Sequence, residues 1–321
     1  MNRVIAAAML LAFAASPAQV PPAQAPPAQA PPDTEIYLAP LKTANGAVDV
    51  GAPVNITNSP GYDNQPSFTP DGAAVLFTSV RGSAASGATG GATQSDIYRY
   101  DIRGGEISRV TQTPESEYSP TVMPDGGISV VRVEADGTQR LWSIRPSGPK
   151  IAAAVLLPDI KPVGYHAWAD DHTLALFVLG QPATLQLADT RTGTARTIAS
   201  DIGRSIQRIP GTGAISAISF VQRERDGETV RLTIKRLNPA SGDVAALVPA
   251  VEGSREADTA WTPDGTLLMV KDGVLYSWRT GQTGWKEAAR LERLSLSGVT
   301  RLAVSPAGDY LALVGSPRAP R

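Results

Sequence analysis

Few side chains in this sequence have the chemistry of a metal ligand or a nucleophile. The 321 residues include two histidines and no cysteine. Without cysteine, disulfides, thiolate metal sites and a cysteine nucleophile are excluded. His166 lies at the start of one predicted strand, whereas His172 lies in the turn that follows it. Two imidazoles at opposite ends of a strand cannot share a metal ion, so we predict no metal site, no cofactor and no catalytic residue.

Carboxylates and tyrosines are the more abundant polar groups, and many come just before a predicted strand. The acidic residues at such places are Asp63, Glu115, Glu117, Asp159, Asp201, Glu252, Glu256 and Asp258. Three basic residues, Lys161, Arg204 and Arg255, oppose them. If these segments meet around one opening, it should be net acidic by about five charges. Tyr62, Tyr118 and Tyr165 lie among them, and tyrosines on a polar rim suit contact with a protein or pack between structural units.

A repeated turn provides the framework that would gather these segments. Pro-Asp-Gly occurs at Pro70, Pro124 and Pro263, and a degenerate copy occurs at Pro306. Proline presets φ, aspartate bonds to the backbone ahead of it, and glycine accepts positive φ. Each turn separates two short apolar runs, which is typical of antiparallel strands. The first copy continues into two further short strands, giving a four-stranded unit.

Six such units account for the folded chain. Their turns begin near residues 70, 124, 170, 210, 263 and 306, a spacing of roughly 40 to 55 residues that is typical of propeller blades. The sixth unit is divided: Val299 to Val314 supplies two strands, and Glu35 to Leu41 with Val48 to Thr57 supplies the others. We therefore predict an all-β, six-bladed β-propeller of four-stranded antiparallel blades, the last closed by N- and C-terminal strands, which hides two sheet edges. A large β-sandwich is the alternative, and helix is predicted only within Trp285 to Leu294.

The strings SPGYDNQPSFTPDGAAVLFTSVRG and SDIYRYDIRGGEISRVT resemble the WD40-like repeat of the TolB-like propeller family. The resemblance covers the folded region and is strongest in the first, second and fifth units. It implies a six-bladed propeller and, by analogy, a scaffold of the bacterial cell envelope, although the repeat also serves in enzymes. The sequence departs from TolB in having no α/β domain before the propeller. It also contains no Gly-x-Ser-x-Gly nucleophile elbow of the propeller peptidases.

The N-terminal segment indicates an exported protein. Residues 1–18 combine a positive start, a short apolar run and small residues, as in a cleaved signal peptide; an uncleaved anchor is the alternative. We predict a disordered Pro/Ala/Gln-rich linker over 19–33, the propeller over 34–316 and a tail over 317–321. The Gly/Ala/Ser/Thr-rich stretch from Gly82 to Ser95 is predicted to be a mobile loop. A periplasmic or secreted location follows. No second hydrophobic segment is long enough to span a membrane.

These observations favour a non-enzymatic interaction module. Its net charge is −1 and it has no basic patch with aromatic residues, so nucleic acid is not an expected partner. We expect a monomer that binds a protein or peptide of the cell envelope at the channel face. The alternative is a small-molecule hydrolase or lyase with channel carboxylates and a divalent cation. The predicted partner-binding residues are Tyr62, Asp63, Gln65, Glu115, Glu117, Tyr118, Tyr165, His166, Glu256 and Asp258.

Overall fold

The computed structural model describes residues 32–82, 94–147, 150–211 and 215–317. The predicted signal peptide, nearly all of the predicted linker, most of the segment from Gly82 to Ser95 and all but Pro317 of the predicted tail lie outside these residues. Within them the chain forms 25 strands and one short 3-10 helix. No helix among the described residues is long and apolar enough to cross a membrane.

The first three blades each consist of four consecutive antiparallel strands. In each of these blades the strands follow one another in sequence order from the channel outwards. Blade 1 comprises β4 (Asp63–Phe68), β5 (Ala74–Ser79), β6 (Asp96–Asp101) and β7 (Ile107–Arg109). Blade 2 comprises β8 (Ser116–Val122), β9 (Ile128–Val133), β10 (Gln139–Ser147) and β11 (Lys150–Val155). Blade 3 comprises β12 (Val163–Trp168), β13 (Thr173–Val178), β14 (Thr184–Asp189) and β15 (Thr194–Ser200).

Blades 4 and 5 follow the same order. Blade 4 comprises β16 (Ile202–Arg208), β17 (Ile218–Asp226), β18 (Thr229–Leu237) and β19 (Val244–Pro249). Blade 5 comprises β20 (Thr259–Trp261), β21 (Leu267–Lys271), β22 (Val274–Trp278) and β23 (Lys286–Arg290). The 3-10 helix, Leu291–Leu294, then leads into the last blade.

Blade 6 joins the two ends of the described chain, as the sequence predicted. From the channel outwards it contains β24 (Leu296–Val304), β25 (Tyr310–Pro317), β1 (Glu35–Ala44) and β2 (Ala47–Val50), and β3 (Val54–Asn55) pairs with the other half of β1. Strand β1 runs antiparallel to β25, with Ile36 opposite Val314 and Leu38 opposite Ala312. These four side chains are buried in one apolar cluster, so closure rests on both backbone pairing and packing.

The repeated turn works as its residue types indicate. In blade 1 the Asp71 carboxylate accepts hydrogen bonds from the Thr69 hydroxyl (2.6 Å) and the Ala73 N–H (3.0 Å), and Gly72 has φ +70°. Thr69 N–H then bonds to Ala74 O at 2.9 Å, which closes the turn. In blade 5 the Asp264 carboxylate likewise accepts from Thr262 and Thr266. The same local chemistry therefore starts the second strand in separate blades.

The core lies between blades and is made of side chains from their facing sheets. Trp168 of blade 3 packs with Met123 and Leu141 of blade 2, and its indole N–H donates to Ser129 Oγ at 3.0 Å. Trp261 of blade 5 repeats this contact with Ser219 Oγ of blade 4 at 2.8 Å. Each indole buries its ring and satisfies its one donor, so these contacts fix the spacing between neighbouring blades.

The predicted six-bladed fold is confirmed, with two local corrections. The segment Trp285 to Leu294 was expected to be helical, yet Lys286–Arg290 forms the outermost strand of blade 5 and only Leu291–Leu294 is a 3-10 helix. Pairing with β22 supplies its backbone hydrogen bonds and overrides the helical propensity of the sequence. The predicted strand Val48 to Thr57 is divided into two short strands around Pro53, which has no N–H to donate.

Candidate functional site

The six innermost strands surround a central channel. These strands are β4, β8, β12, β16, β20 and β24, and each contacts the next around a closed ring. We call the end where they begin the start face and the end that carries the Pro-Asp-Gly turns the turn face. Strand register is irregular near the beginning of five of the six strands. Such irregularities turn side chains away from the regular alternation of a sheet.

One equivalent position in each blade contributes a polar side chain to the channel. It lies four residues before the residue whose N–H closes the turn. Gln65 and Ser119 hold this position with φ of +57° and +53°, in the left-handed region. We call the set the polar ring: Gln65, Ser119, Tyr165, Ser205, Asp258 and Arg301. All six residues line one cavity of about 280 Å³, the ring cavity, together with Arg204, Arg208 and His166.

Arg301 connects opposite sides of the channel. Its Nη2 donates a hydrogen bond to Tyr165 Oη at 2.7 Å, and its guanidinium lies 5.0 Å from the centre of the tyrosine ring. Arg301 belongs to blade 6 and Tyr165 to blade 3, which are opposite in a ring of six. Its side chain is 13% exposed. A cation over an aromatic face is stabilised by the ring quadrupole, so this contact forms a bridge across the channel.

Asp258 is the carboxylate of the polar ring, and two arginines share it. Its Oδ2 lies 3.3 Å from Arg204 Nε and 3.9 Å from Arg301 Nη1. Burial raises the pKa of Asp258, and the positive charges of Arg301 and Arg204 oppose that increase. Arg204 also donates to Thr300 O at 3.1 Å and lies 3.6 Å from Glu256. The three charged groups thus come from blades 4, 5 and 6 and meet only in the folded ring.

Tyrosines complete the start-face end of this site. Burial raises the pKa of Tyr62 to about 12, although Arg301 and Arg204 oppose the increase; Tyr165 and Tyr118 add to it. Tyr165 packs edge-on against Phe177 at 5.7 Å between ring centres. The raised pKa keeps the Tyr62 phenol neutral at physiological pH, near the guanidinium groups of Arg301 and Arg204. Tyr62, Tyr118 and Tyr165 therefore lie close enough to influence one another electrostatically. In the sequence, the only sign of this was that each lies near the start of an innermost strand.

The expectation of exposed negative charge is wrong for Asp63 and Glu117. Both side chains are buried, with relative exposures of 2% and 0%. Asp63 pairs with Arg81 at 2.9 Å, and Glu117 accepts from Arg132 Nε at 3.0 Å and Nη2 at 2.5 Å. The counter-charges come from the second strand of each blade or just after it. Counting only the loops before the innermost strands missed them.

The remaining predicted residues occupy different surroundings. Glu256 is exposed at the start face, with 62% of its side chain accessible. Glu115 lines a separate groove that also contains Arg109 and Arg132, so the structure does not bring it to the ring cavity. Gln65 lies in the polar ring, where its Oε1 accepts from Thr78 Oγ1 and from Ser119 N–H, both at 2.8 Å.

His166 lines the ring cavity and is buried. Its Nε2 lies 2.7 Å from Ser129 Oγ, the same hydroxyl that accepts from Trp168. Burial lowers the pKa of His166 to about 4, so the imidazole is neutral at physiological pH. Its Nδ1 has no hydrogen-bond partner among the described residues. Across residues 32–82, 94–147, 150–211 and 215–317, no three His, Cys, Asp or Glu side chains are grouped to hold a metal ion.

Comparison with known proteins identifies the fold. No protein-family profile matches the sequence, and no curated protein matches it. Among solved structures, a TolB-type protein from Agrobacterium tumefaciens is similar at 14% identity and a TM-score of 0.60, over 90% of this chain and 99% of that one. TolB from Acinetobacter baumannii is similar at 13% identity and a TM-score of 0.54, over 89% of this chain. This chain has a TolB-like propeller fold.

The TolB-like fold does not by itself assign a function. This chain spans 64% of the length of the Acinetobacter protein. An oligogalacturonate lyase in complex with manganese is also similar, at 14% identity and a TM-score of 0.52, over 83% of this chain and 80% of that one. TolB proteins and a lyase therefore share this architecture, and the function has to be argued from the polar ring and its surroundings.

The sequence reasoning missed Arg301 as a member of the site. Arg301 lies four residues before Ser305, as Gln65 lies four residues before Thr69. Aligning all six units on the turn would have placed it in the channel. The signal is weak because the sixth unit carries the degenerate Ser-Pro-Ala-Gly turn in place of Pro-Asp-Gly.

Proposed function

We propose that this TolB-like propeller is a non-enzymatic interaction module of the periplasm that binds a protein or peptide across the start face. The observation that carries the proposal is the cluster of Tyr62, Tyr118 and Tyr165 around Arg301 and Arg204 at the end of the channel. Tyrosine and arginine are, with tryptophan, the residue types enriched among the residues that contribute most to binding at protein interfaces. Propeller closure gathers them from five blades, so a partner at this face would contact all of them at once.

The site favours binding over hydrolysis or lyase chemistry. A channel carboxylate acting with a divalent cation needs several acidic or amide ligands around one point. Asp258 is instead held between two arginines, and Asp63 and Glu117 are each committed to an arginine of their own blade. Positive charges beside these carboxylates compete with a cation for the same oxygens. The polar ring therefore has the composition of a recognition site.

The periplasmic part of the proposal rests on the sequence of residues 1–18. A positive start followed by a short apolar run and small residues is the pattern of an exported protein. The similarity to TolB propellers supports a bacterial envelope setting as an analogy. N-terminal sequencing of the protein from the periplasmic fraction would test it, because material beginning at Met1 would contradict cleavage.

Site-directed photo-cross-linking in cells would test partner binding. A photoreactive residue is placed at Glu256, which is exposed at the start face, or at Thr194, which is exposed on the outermost strand of blade 3. We expect a discrete cross-linked product from Glu256 that is absent from Thr194. Equal products from both positions, or none from Glu256, would contradict binding at the start face.

A further inference from the structure

The ring cavity is positively charged, in contrast to the acidic opening expected from the sequence. Three arginines, Arg204, Arg208 and Arg301, line it together with one carboxylate, Asp258. His166, which also lines it, is neutral because burial lowers its pKa to about 4. Low-dielectric walls around a cavity strengthen the field of unbalanced charges. An anion is therefore favoured in this cavity over a cation.

Two of these arginines have N–H donors that find no partner among the described residues. A guanidinium carries five N–H donors, yet the hydrogen bond that Arg301 makes within the described residues goes to the Tyr165 hydroxyl. Arg301 Nη1 lies 3.9 Å from Asp258 Oδ2. This distance allows an ion pair but is too long for a hydrogen bond. Arg208 donates from Nε to Ser216 Oγ at 2.6 Å and has no carboxylate partner among the described residues. The planar fork of a guanidinium fits the two oxygens of a carboxylate.

The bridge across the channel limits what can enter. Arg301 and Tyr165 join opposite blades, so a chain threaded through the channel would have to separate them. A chain end can stop at the bridge without breaking it. The ring also offers the Ser119 hydroxyl, which is buried and has no partner among the described residues. A buried hydroxyl without a partner gains free energy when a ligand supplies one.

We propose that the ring cavity binds the carboxylate at the C-terminus of a peptide chain, with Arg301 as the principal contact. The inference rests on the proposed function, since it names the part of the partner that enters the channel. Arg204 keeps Asp258 paired while Arg301 turns its free N–H groups to the ligand. Arg208 lines the ring cavity and also two further cavities that include residues of the Pro-Asp-Gly turns, so it adds positive charge from the turn-face side.

Calorimetric titration of the full chain would test this site with N-acetylalanylalanine and its C-terminal amide as probes. The two probes differ only at the C-terminus, which is a charged carboxylate in the first and a neutral amide in the second. We expect the acid to bind at least about tenfold more tightly than the amide, since a charge-assisted hydrogen bond is lost. Equal affinities, or no binding of the acid at millimolar concentrations, would overturn the proposal.

Variants locate the binding. Arg301→Gln should weaken the binding of N-acetylalanylalanine by about tenfold or more. The double variant Arg301→Gln with Asp258→Asn tests the same loss of affinity without leaving a charged carboxylate at position 258. Arg290→Gln is the matched control, because Arg290 is an exposed arginine paired with Glu287 on the outermost strand of blade 5. Unchanged affinity in both Arg301 variants, each shown to be folded by its thermal unfolding, would place the probe elsewhere and overturn the proposal.

A third probe tests whether the site prefers a peptide C-terminus or a small organic acid. Succinate carries carboxylates without a peptide chain. Tighter binding of succinate than of N-acetylalanylalanine would overturn the chain-end assignment and indicate a small organic acid. This outcome differs from a failure of the proposed function, which would appear as absent cross-linking at Glu256 whether or not the acid binds.

Discussion

Acidic and arginine side chains meet in two different ways in this propeller. In blades 1 and 2 each pair is made within one blade: Asp63 with Arg81, and Glu117 with Arg132. At the end of the channel, Asp258 is shared by Arg204 and Arg301, which belong to other blades. In each pair within a blade, one carboxylate neutralises one arginine. At Asp258 one carboxylate faces two arginines, so a net positive charge remains. The same residue types therefore stabilise the fold in one region and form a proposed binding site in the other.

The difference follows from position along the innermost strand. Asp63, Glu117 and Glu256 lie six residues before the residue that closes the turn, whereas Asp258 lies four residues before it. In blades 1 and 2 the earlier position faces an arginine on, or just after, the second strand. The later position falls in the polar ring. Relative to the buried carboxylates of blades 1 and 2, the position two residues later therefore lies at the wall of the channel and not inside a blade.

Breaking the pair in blade 2 should have the largest effect. In Arg132→Met the Glu117 carboxylate stays buried without its counter-charge, which should cost about 3–5 kcal/mol of unfolding free energy. Arg132 also lies 4.3 Å from the Trp142 ring centre, a contact that methionine partly retains. Denaturant unfolding measures the loss. The double variant Glu117→Gln with Arg132→Met should recover part of it, and a single-variant loss under about 1 kcal/mol would contradict a structural pair.

The buried histidine of the ring cavity should make stability depend on pH. Its pKa is about 4 in the folded state, against an ordinary value of 6.5. Between these two pH values only the unfolded chain protonates this imidazole. The unfolding free energy therefore has its full value above pH 6.5 and falls as the pH drops to 4. The loss should approach about 3 kcal/mol.

His166→Gln provides the comparison for that pH dependence. Glutamine keeps a polar group for Ser129 and does not titrate, so the difference between the two proteins isolates the histidine from the carboxylates. Unfolding free energies from pH 4 to pH 7 measure it. If the two proteins lose stability in parallel over this range, His166 is not buried in its neutral form.

Breaking the shared cluster should cost less stability than breaking a pair within a blade. In Arg301→Gln, Asp258 keeps Arg204 and Tyr165 keeps its packing on Phe177. We therefore expect a loss of about 1–2 kcal/mol, measured by denaturant unfolding beside Arg132→Met. A loss equal to that of Arg132→Met would remove the distinction between the two regions.

The smallest effect is expected at Glu256, which occupies the same strand position as Glu117. Glu256 is exposed and lies 3.6 Å from Arg204, so Glu256→Lys should change the unfolding free energy by no more than about 0.5 kcal/mol. Glu117→Lys should instead lower the unfolding free energy by several kcal/mol, because it buries two positive charges together. Thermal unfolding of both variants tests the contrast, and similar melting temperatures would show that burial does not separate these positions.

The turn residues made the fold predictable, because Pro-Asp-Gly sets both the local geometry and the interval between blades. The divided sixth unit likewise predicted the pairing of β1 with β25. The composition of the site was less accessible. Arg81 and Arg132 lie in or after second strands, and only the folded blade brings them to Asp63 and Glu117. Sequence order placed carboxylates near the channel but did not show which of them are already paired.

Probe binding by the two arginine variants tests the separation of scaffold and site most directly. Affinity for N-acetylalanylalanine is measured on Arg132→Met and Arg301→Gln under conditions where both are folded. The account predicts that Arg132→Met, the less stable protein, keeps the wild-type Kd within about twofold, while Arg301→Gln raises it by about tenfold or more. A Kd that rises in Arg132→Met and stays unchanged in Arg301→Gln would contradict the placement of the binding site in the polar ring.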